Sequence, residues 1–289
     1  MVAMTNRTTN CSYEEAVRRL RAAPSNARLI EQCYLDEDVP VAARRFAASD
    51  EFQQTMRLLR LHRDNHKRTI VDLGCGNGIA AYAFAALGHR VIAVDPDSSS
   101  EVGLGAARRL AAYVAPKTLE FVHASSEVLP FDNATVDIVY ARQALHHFQD
   151  LTRGVRECAR VLKKGGLLLA AREHVISRVE DLKTFLESHA LHRFHGAENA
   201  YLLESYLAAF KIAGLRVRQC LGPWDSPITA FPMTSSDIRR KFMASLGWGF
   251  KAKILWIFMV VPGGEQWVRR FFSRNDHQPG RLYAFLCEK

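Results

Sequence analysis

No apolar run in this chain approaches the length of a membrane span. The longest strongly apolar stretch, ILWIFMVV at Ile254–Val261, has eight residues, where about twenty are needed. Cysteine is scarce and scattered: the six, at 11, 33, 75, 158, 220 and 287, show no paired metal-finger spacing. Reduced thiols in a cytoplasmic protein are expected rather than a disulfide scaffold. The opening residues MVAMTNRTTNCSYEEAVRRL lack the apolar core of a secretory signal and suit an ordinary soluble start. A compact basic stripe is also missing. Lys and Arg total 39 against 30 Asp and Glu, a formal net charge of +9, yet the basic pairs are spread from Arg18-Arg19 to Arg269-Arg270. Nucleic acid is therefore not an expected partner, and membrane association is not expected either.

What is present is a chain able to build a large core, with 48% hydrophobic residues over 289 positions. Residues 1–66 read as a helical leader, with Val39-Pro40 interrupting the helical pattern. From residue 67 short apolar strands alternate with helices. Strands are predicted at 69–73, 90–94, 119–123, 136–141 and 166–171, and helices at 78–87, 99–113 and 151–162. Ser98 and Glu101 have capping-box spacing, which predicts a helix start there; Gly165-Gly166 is read as ending the helix of 151–162. The repeated strand-helix-strand unit implies a mostly parallel sheet with helices on both faces. LRVRQCL and GRLYAFLCEK supply two later strands. Residues 223–280 between them are too long for a hairpin loop and read as a helical insertion on the 67–222 core, either a substrate lid or packing scaffold, before a final strand at 281–289.

The stretch TIVDLGCGNGIAAYAFAALGHRVIAVDPD, Thr69–Asp97, raises the question of its ligand. Gly74 and Gly76 follow a short apolar strand, and Asp95 lies nineteen residues beyond Gly76. Dinucleotide folds share strand, glycine turn, helix and a downstream acid that holds ribose hydroxyls. Their third glycine, which allows close helix approach, is here Ile79, so a pyrophosphate is a poorer fit.

With VDLGCGNG at Val71–Gly78, VIAVDPD at Val91–Asp97, SSEVLPFDNATVDIVYARQALHHFQD at Ser125–Asp150 and ECARVLKKGGLLLAA at Glu157–Ala171, the chain resembles the class I S-adenosylmethionine-dependent methyltransferases. Within them it is similar to the group that includes quinone-biosynthesis and small-molecule enzymes. The resemblance covers about 69–175 closely and 281–289 loosely. It implies a three-layer Rossmann-like α/β sheet of seven strands with the last antiparallel. It implies S-adenosylmethionine as cofactor, S-adenosylhomocysteine as product and a small-molecule acceptor. Asp72, Gly74, Cys75 and Gly76 would line the methionine end, Asp95 with Pro96 the ribose, and Ser125, Ser126 and Glu127 the adenine, with Ala141 at the end of the fourth strand. Relatives often carry aspartate before alanine where this chain has Ser125-Ser126, and a serine hydroxyl can accept a hydrogen bond there without the charge.

Methyl transfer needs alignment and exclusion of water, and a base where the nucleophile is a phenol or carbon acid. His146 and His147, after the fourth strand, are the catalytic candidates. A second set comprises His174 and the three-residue series His189, His192 and His195, with Glu198, Asn199 and Tyr201. It reads as substrate-binding, with structural and metal-ligating roles as alternatives; no metal is assigned. Aromatics interleaved with basic residues in the insertion (Trp248, Phe250, Trp256, Phe258, Trp267, Phe271, Phe272) would enclose an apolar acceptor or touch a membrane surface. The expected activity is methyl transfer to a small molecule. The alternatives are non-methylating chemistry on the same cofactor (aminopropyl transfer or cyclisation), or a noncatalytic scaffold that binds it. The acceptor atom and the oligomeric state are not readable.

Overall fold

The structure is a computed structural model describing residues 11–63, 66–188, 199–245, 259, 261 and 263–289. Its leader contains α1 (Tyr13–Arg21), α2 (Ala27–Gln32), α3 (Val39–Ala47) and α4 (Asp50–Leu58). Each long helix starts where the sequence supplies a cap: Ser12, Asp38 and Ser49 accept from the backbone N–H of Glu15, Val41 and Phe52. Pro40 sits in the first turn of α3, where no N–H is required, so it opens that helix rather than breaking it.

The core then runs β1 (Thr69–Leu73), α5 (Ile79–Ala86), β2 (Arg90–Asp95), α6 (Leu104–Arg108), β3 (Leu119–His123), β4 (Val136–Arg142), α7 (Leu151–Val161) and β5 (Leu162–Ile176). It continues through α8 (Asp181–Ser188), β6 (Tyr201–Leu202), α9 (Leu203–Ile212) and β7 (Arg216–Leu221). The insertion contributes α10 (Pro227–Ala230), α11 (Ser235–Ser245) and α12 (Gly264–Arg274), and β8 (Arg281–Glu288) closes the sheet. Seven strands lie in the order β3-β2-β1-β4-β5-β8-β7; β8 runs antiparallel to both neighbours, as expected. The two-residue β6, which the sequence did not announce, adds to β5 at Val175 and Ile176.

Helices cover both faces. On one, α5 is alanine-rich and packs close to the sheet, while Phe46, Phe52, Phe84 and Tyr140 form a chain of rings with centroids 5.1–5.5 Å apart. On the other, Tyr206 and Phe210 of α9 pack on Phe285 of β8, with α7 alongside. Burial of each such ring contributes on the order of 1.5–3 kcal/mol. The insertion has its own small core, in which Phe242 stacks on Phe272 at 3.9 Å and Ile238, Met259 and Val268 pack beside them.

Three local expectations are corrected. Ser98 and Glu101 form no capping box: α6 begins only at Leu104, after Gly103. The reason is a tight loop, in which Asp97 accepts from Ser99 N and Oγ and Gly103 and Gly105 lie against the backbone at Asp97 and Ser99, too close for a Cβ. Glu101 instead accepts from Arg18 and Arg21, holding α1 against this loop. The helix expected over 99–113 is accordingly α-helical only at 104–108, with a 3-10 turn to Tyr113. The fifth strand runs from Leu162 to Ile176 rather than 166–171, and α7 ends at Val161, ahead of Gly165-Gly166. Antiparallel β8 pairs along nearly its whole length.

Candidate active site

The C-terminal ends of β1, β2, β4 and β5 meet at one edge of the sheet, where open α/β folds place their ligands. After β1 the chain turns through Gly74, Gly76 and Gly78 at φ of 69°, 51° and 80°, a backbone region that side chains strongly disfavour. Space is also tight: a Cβ on Gly74 would lie 2.7 Å from that of Ala144, and one on Gly78 2.7 Å from that of Ala107. Asp95 locks the turn, accepting from Gly76 N and Asp97 N, each at 2.8 Å. Burial raises the Asp95 carboxyl above its usual range, opposed by those two hydrogen bonds. Asn77 donates to the Tyr34 carbonyl at 2.8 Å, which joins the leader to the turn.

Asp72 is wholly buried beneath the turn, and its Oδ2 has no hydrogen-bond partner. Burial pushes its pKa up to about 7; the charge of Asp95 adds to this, while a hydrogen bond from the Ala81 backbone and the charge of Arg142 oppose it. Two buried carboxylates around a glycine turn thus leave a region short of positive charge. Cys75 is buried with its thiol held neutral, chiefly by desolvation.

The remaining candidates fall into place differently. Pro96 is exposed, and its carbonyl contacts His123 Nε2 at 2.8 Å. The hydroxyls of Ser125 and Ser126 both donate to Glu127, whose other oxygen accepts from Gln149 N. Burial opposes ionisation of Glu127, but the hydrogen bonds from Ser125, its own N–H, Ser126 and Gln149 outweigh it and hold the carboxyl low. Ala141 is buried in β4.

His146 is buried, and Glu173 on β5 accepts from its Nδ1 at 2.7 Å, its N–H at 3.1 Å and the N–H of Ala144 at 3.2 Å. That carboxylate fixes the loop after β4. His147 is exposed, its ring 4.3 Å from that of His146, and the ring of His174 lies 4.7 Å from His146 on another side. His174, expected with the downstream histidines, therefore joins the His146 group; its Nδ1 contacts the Gly280 carbonyl at 2.9 Å. Tyr201 donates to the Phe148 carbonyl at 2.7 Å, with half-buried Asn199 beside its hydroxyl. His189, His192, His195 and Glu198 lie outside the described residues, as do Trp248, Phe250, Trp256 and Phe258. Of the other insertion aromatics, Phe272 is packed, whereas Trp267 and Phe271 are exposed. Among the described residues no group of three His, Cys, Asp or Glu side chains could hold a metal ion, and no helix is long and apolar enough to cross a membrane.

A further cluster escaped the sequence reading. Arg142 at the end of β4 makes a two-pronged pair with Glu51 of α4, Nε to Oε1 at 2.7 Å and Nη2 to Oε2 at 3.1 Å, with Glu51 completely buried. Arg172 on β5 lies 4.0 Å from the same carboxylate and donates through Nη1 to the carbonyls of Ile228 and Phe231. The available signal was an arginine directly after each of two adjacent predicted strands, in YAR and AAR.

Sheet order, antiparallel β8, the glycine turn and the acid closing β2 match the Rossmann-like topology of class I methyltransferases. Residues 71–170 match the family model described as a methyltransferase domain. The chain is 35% identical over 112 residues to a probable S-adenosylmethionine-dependent methyltransferase of Mycobacterium tuberculosis, covering 38% of this chain and 37% of that one. Against a ubiquinone biosynthesis O-methyltransferase of Rhizobium etli it is 24% identical over 181 residues, 60% of this chain and 70% of that one. The first of these matches thus spans little more than a third of the relative's length. The [4+2]-cyclase SpnF shares the fold with a TM-score of 0.51 at 18% identity, over 82% of this chain and 81% of that one. The residues present suit S-adenosylmethionine, the cationic cofactor for which the matched relatives are named. The orphaned Asp72 oxygen, the second buried carboxylate and the backbone bared at Gly74 and Gly76 suit a ligand carrying positive charge beside ribose hydroxyls.

Proposed function

We propose that this protein transfers a methyl group from S-adenosylmethionine to a small-molecule acceptor. The observation that carries the proposal is the grip of Asp95 on the glycine turn directly above the buried, half-satisfied Asp72, within the stretch that matches the methyltransferase model. Bound S-adenosylmethionine supplies an electrophilic methyl carbon on a sulfonium leaving group.

Asp72 with the Gly74–Gly76 backbone holds the methionine end, Asp95 accepts from the ribose hydroxyls with the lone pairs its turn contacts leave over, and Glu127 with its two serines faces the adenine. Protein groups need only align the acceptor and exclude water, since the leaving group is already activated. Where the acceptor must lose a proton, His147 is the base: it is exposed, and its neighbour His146 is fixed by Glu173. The insertion serves as the lid over the acceptor.

Calorimetry with S-adenosylmethionine and mass spectrometry of products test this reading. Asp95→Ala is expected to weaken cofactor affinity at least tenfold, by about 1.4 kcal/mol or more, whereas His147→Gln should lower turnover and leave cofactor affinity within twofold. Unchanged cofactor affinity in Asp95→Ala would remove the ribose role. Product formed without S-adenosylhomocysteine would replace methyl transfer by one of the non-methylating reactions such folds also host.

A further inference from the structure

The cluster of Glu51, Arg142 and Arg172 has one carboxylate for two buried guanidinium groups. Glu51 occupies the Nε–Nη2 edge of Arg142 with both oxygens. The same edge of Arg172 has no protein partner among the described residues: Nε is buried without a hydrogen-bond partner, and Nη2 makes no hydrogen bond. Arg172 is 7% exposed, so water does not freely replace what is missing. The other titratable groups facing it do not repair the deficit. Burial raises the pKa values of the Cys33 thiol and the Tyr34 phenol and keeps both neutral, and Asp72 opposes Arg142 rather than Arg172. A buried guanidinium with an unfilled side edge is costly to keep unless something fills it.

Backbone geometry places this edge deliberately. Arg172 has φ of +63°, a conformation that costs a non-glycine residue of order 1 kcal/mol or more. It lies where the pairing of β5 with β8 shifts register between Ala170 and Glu173. Such bulges re-aim a side chain beside a site. Here the bulge sends Arg172 toward the leader and insertion while Glu173, next in sequence, turns to His146. The Phe231 ring under the guanidinium, at 5.4 Å, fixes its plane.

We propose that the acceptor carries an oxyanion, a carboxylate or a phosphate ester, that binds two-pronged to the Nε–Nη2 edge of Arg172. This deepens the methyl-transfer reading by naming the substrate class of that same site. The anion completes a second fork beside the Glu51–Arg142 pair. It also draws together the three elements that surround it, since Glu51 comes from the leader, Arg172 from the core and the Ile228 and Phe231 carbonyls from the insertion. Recognition therefore closes the site around an anionic acceptor and leaves neutral analogues without their main anchor.

The test is calorimetric titration of the full chain with inorganic phosphate and, separately, with acetate. It is run on the wild type, Arg172→Met, Arg172→Lys and the double variant Arg270→Gln/Arg274→Gln, whose side chains line a separate cleft of about 650 Å3 beside β7. Wild type is expected to bind at least one of the two anions saturably. Arg172→Met should weaken binding about tenfold or more, and Arg172→Lys, which keeps charge without the fork, several-fold. The double variant should match wild type. Preference for phosphate assigns a phosphate ester, and preference for acetate a carboxylate. Affinity unchanged in Arg172→Lys and Arg172→Met, or lost only in the double variant, overturns the proposal, as does absence of saturable binding of either anion to the wild type. If Arg172→Met does not fold, Arg172→Lys decides alone. S-adenosylmethionine titration of the same samples is a separate readout, so failure of the cofactor reading does not pass for failure of this one.

Discussion

The two halves of the candidate site are built by opposite means. At β1 and β2 the site is made from one continuous stretch of 27 residues, Thr69–Asp95, with backbone groups and two carboxylates close to the strands that carry them. At β4 and β5 it is made from groups brought from five places: the side chains of Glu51 of α4, Arg142 and Arg172, and the backbone carbonyls of Ile228 and Phe231. The first arrangement depends on local conformation. The second depends on the leader and insertion docking on the core, and its stability is therefore tied to electrostatic balance. Breaking each half should fail in a distinct way.

The largest effect is expected from Glu51→Gln. It keeps the shape but leaves Arg142 and Arg172 buried without their carboxylate, which costs about 3–5 kcal/mol and should appear as a lower midpoint in urea unfolding. Replacing both members, Glu51→Met with Arg142→Met, should recover part of that loss, because Arg142 no longer needs a charge partner while Arg172 stays buried without one. A double variant as unstable as Glu51→Gln would show that packing, not charge, holds the leader down.

Next comes the glycine turn. Gly78→Ala places a Cβ at φ +80° and 2.7 Å from that of Ala107, so about 1–3 kcal/mol of backbone strain is joined by a displaced α6. Gly165→Ala is the control. It has φ of +76° but nothing within 4 Å, so it carries strain alone, and the difference between the two unfolding midpoints measures the crowding of the turn.

These two halves also explain what was legible before the structure. The parallel strands and the glycine turn could be read because strand periodicity, β-branched composition and the Gly74-x-Gly76 spacing are local signals, whereas the antiparallel last strand came only with the family resemblance. Asp95 was found for the same reason. Ser98 and Glu101 misled because a local capping pattern was overridden by Gly103, Gly105 and a contact from Arg18 and Arg21, about eighty residues earlier. Glu51 could not be assigned from sequence, since nothing along the chain distinguishes it from the other acids of the leader until β4 and β5 place two arginines above it. Likewise the pairing of Glu173 with His146 spans 27 residues and depends on the bulge at Arg172, which has no signature in composition.

The smallest effect, and the one that sharpens the comparison most, concerns pH. With a folded-state pKa of about 7 against 3.8 for an ordinary aspartate, Asp72 keeps its proton in the folded protein over a range where the unfolded chain has lost it. Its folded-state pKa is raised, so it subtracts stability progressively as pH climbs from about 4 to about 7 and nothing further above that, with a slope of at most about 1.4 kcal/mol per pH unit. A cationic cofactor reverses the preference, because it binds the ionised carboxylate. Affinity for S-adenosylmethionine should therefore rise several-fold between about pH 6 and pH 7.5 and then level off, with proton release on binding along the rising part. Asp72→Asn removes the titrating group. Calorimetry in two buffers of different ionisation enthalpy should then show a flat profile and no proton release in that variant, while phosphate binding at Arg172, on the other half of the site, keeps its wild-type value. If Asp72→Asn instead weakens both ligands together, the two halves are one coupled unit and the division between a backbone-made cofactor end and a side-chain-made acceptor end does not hold.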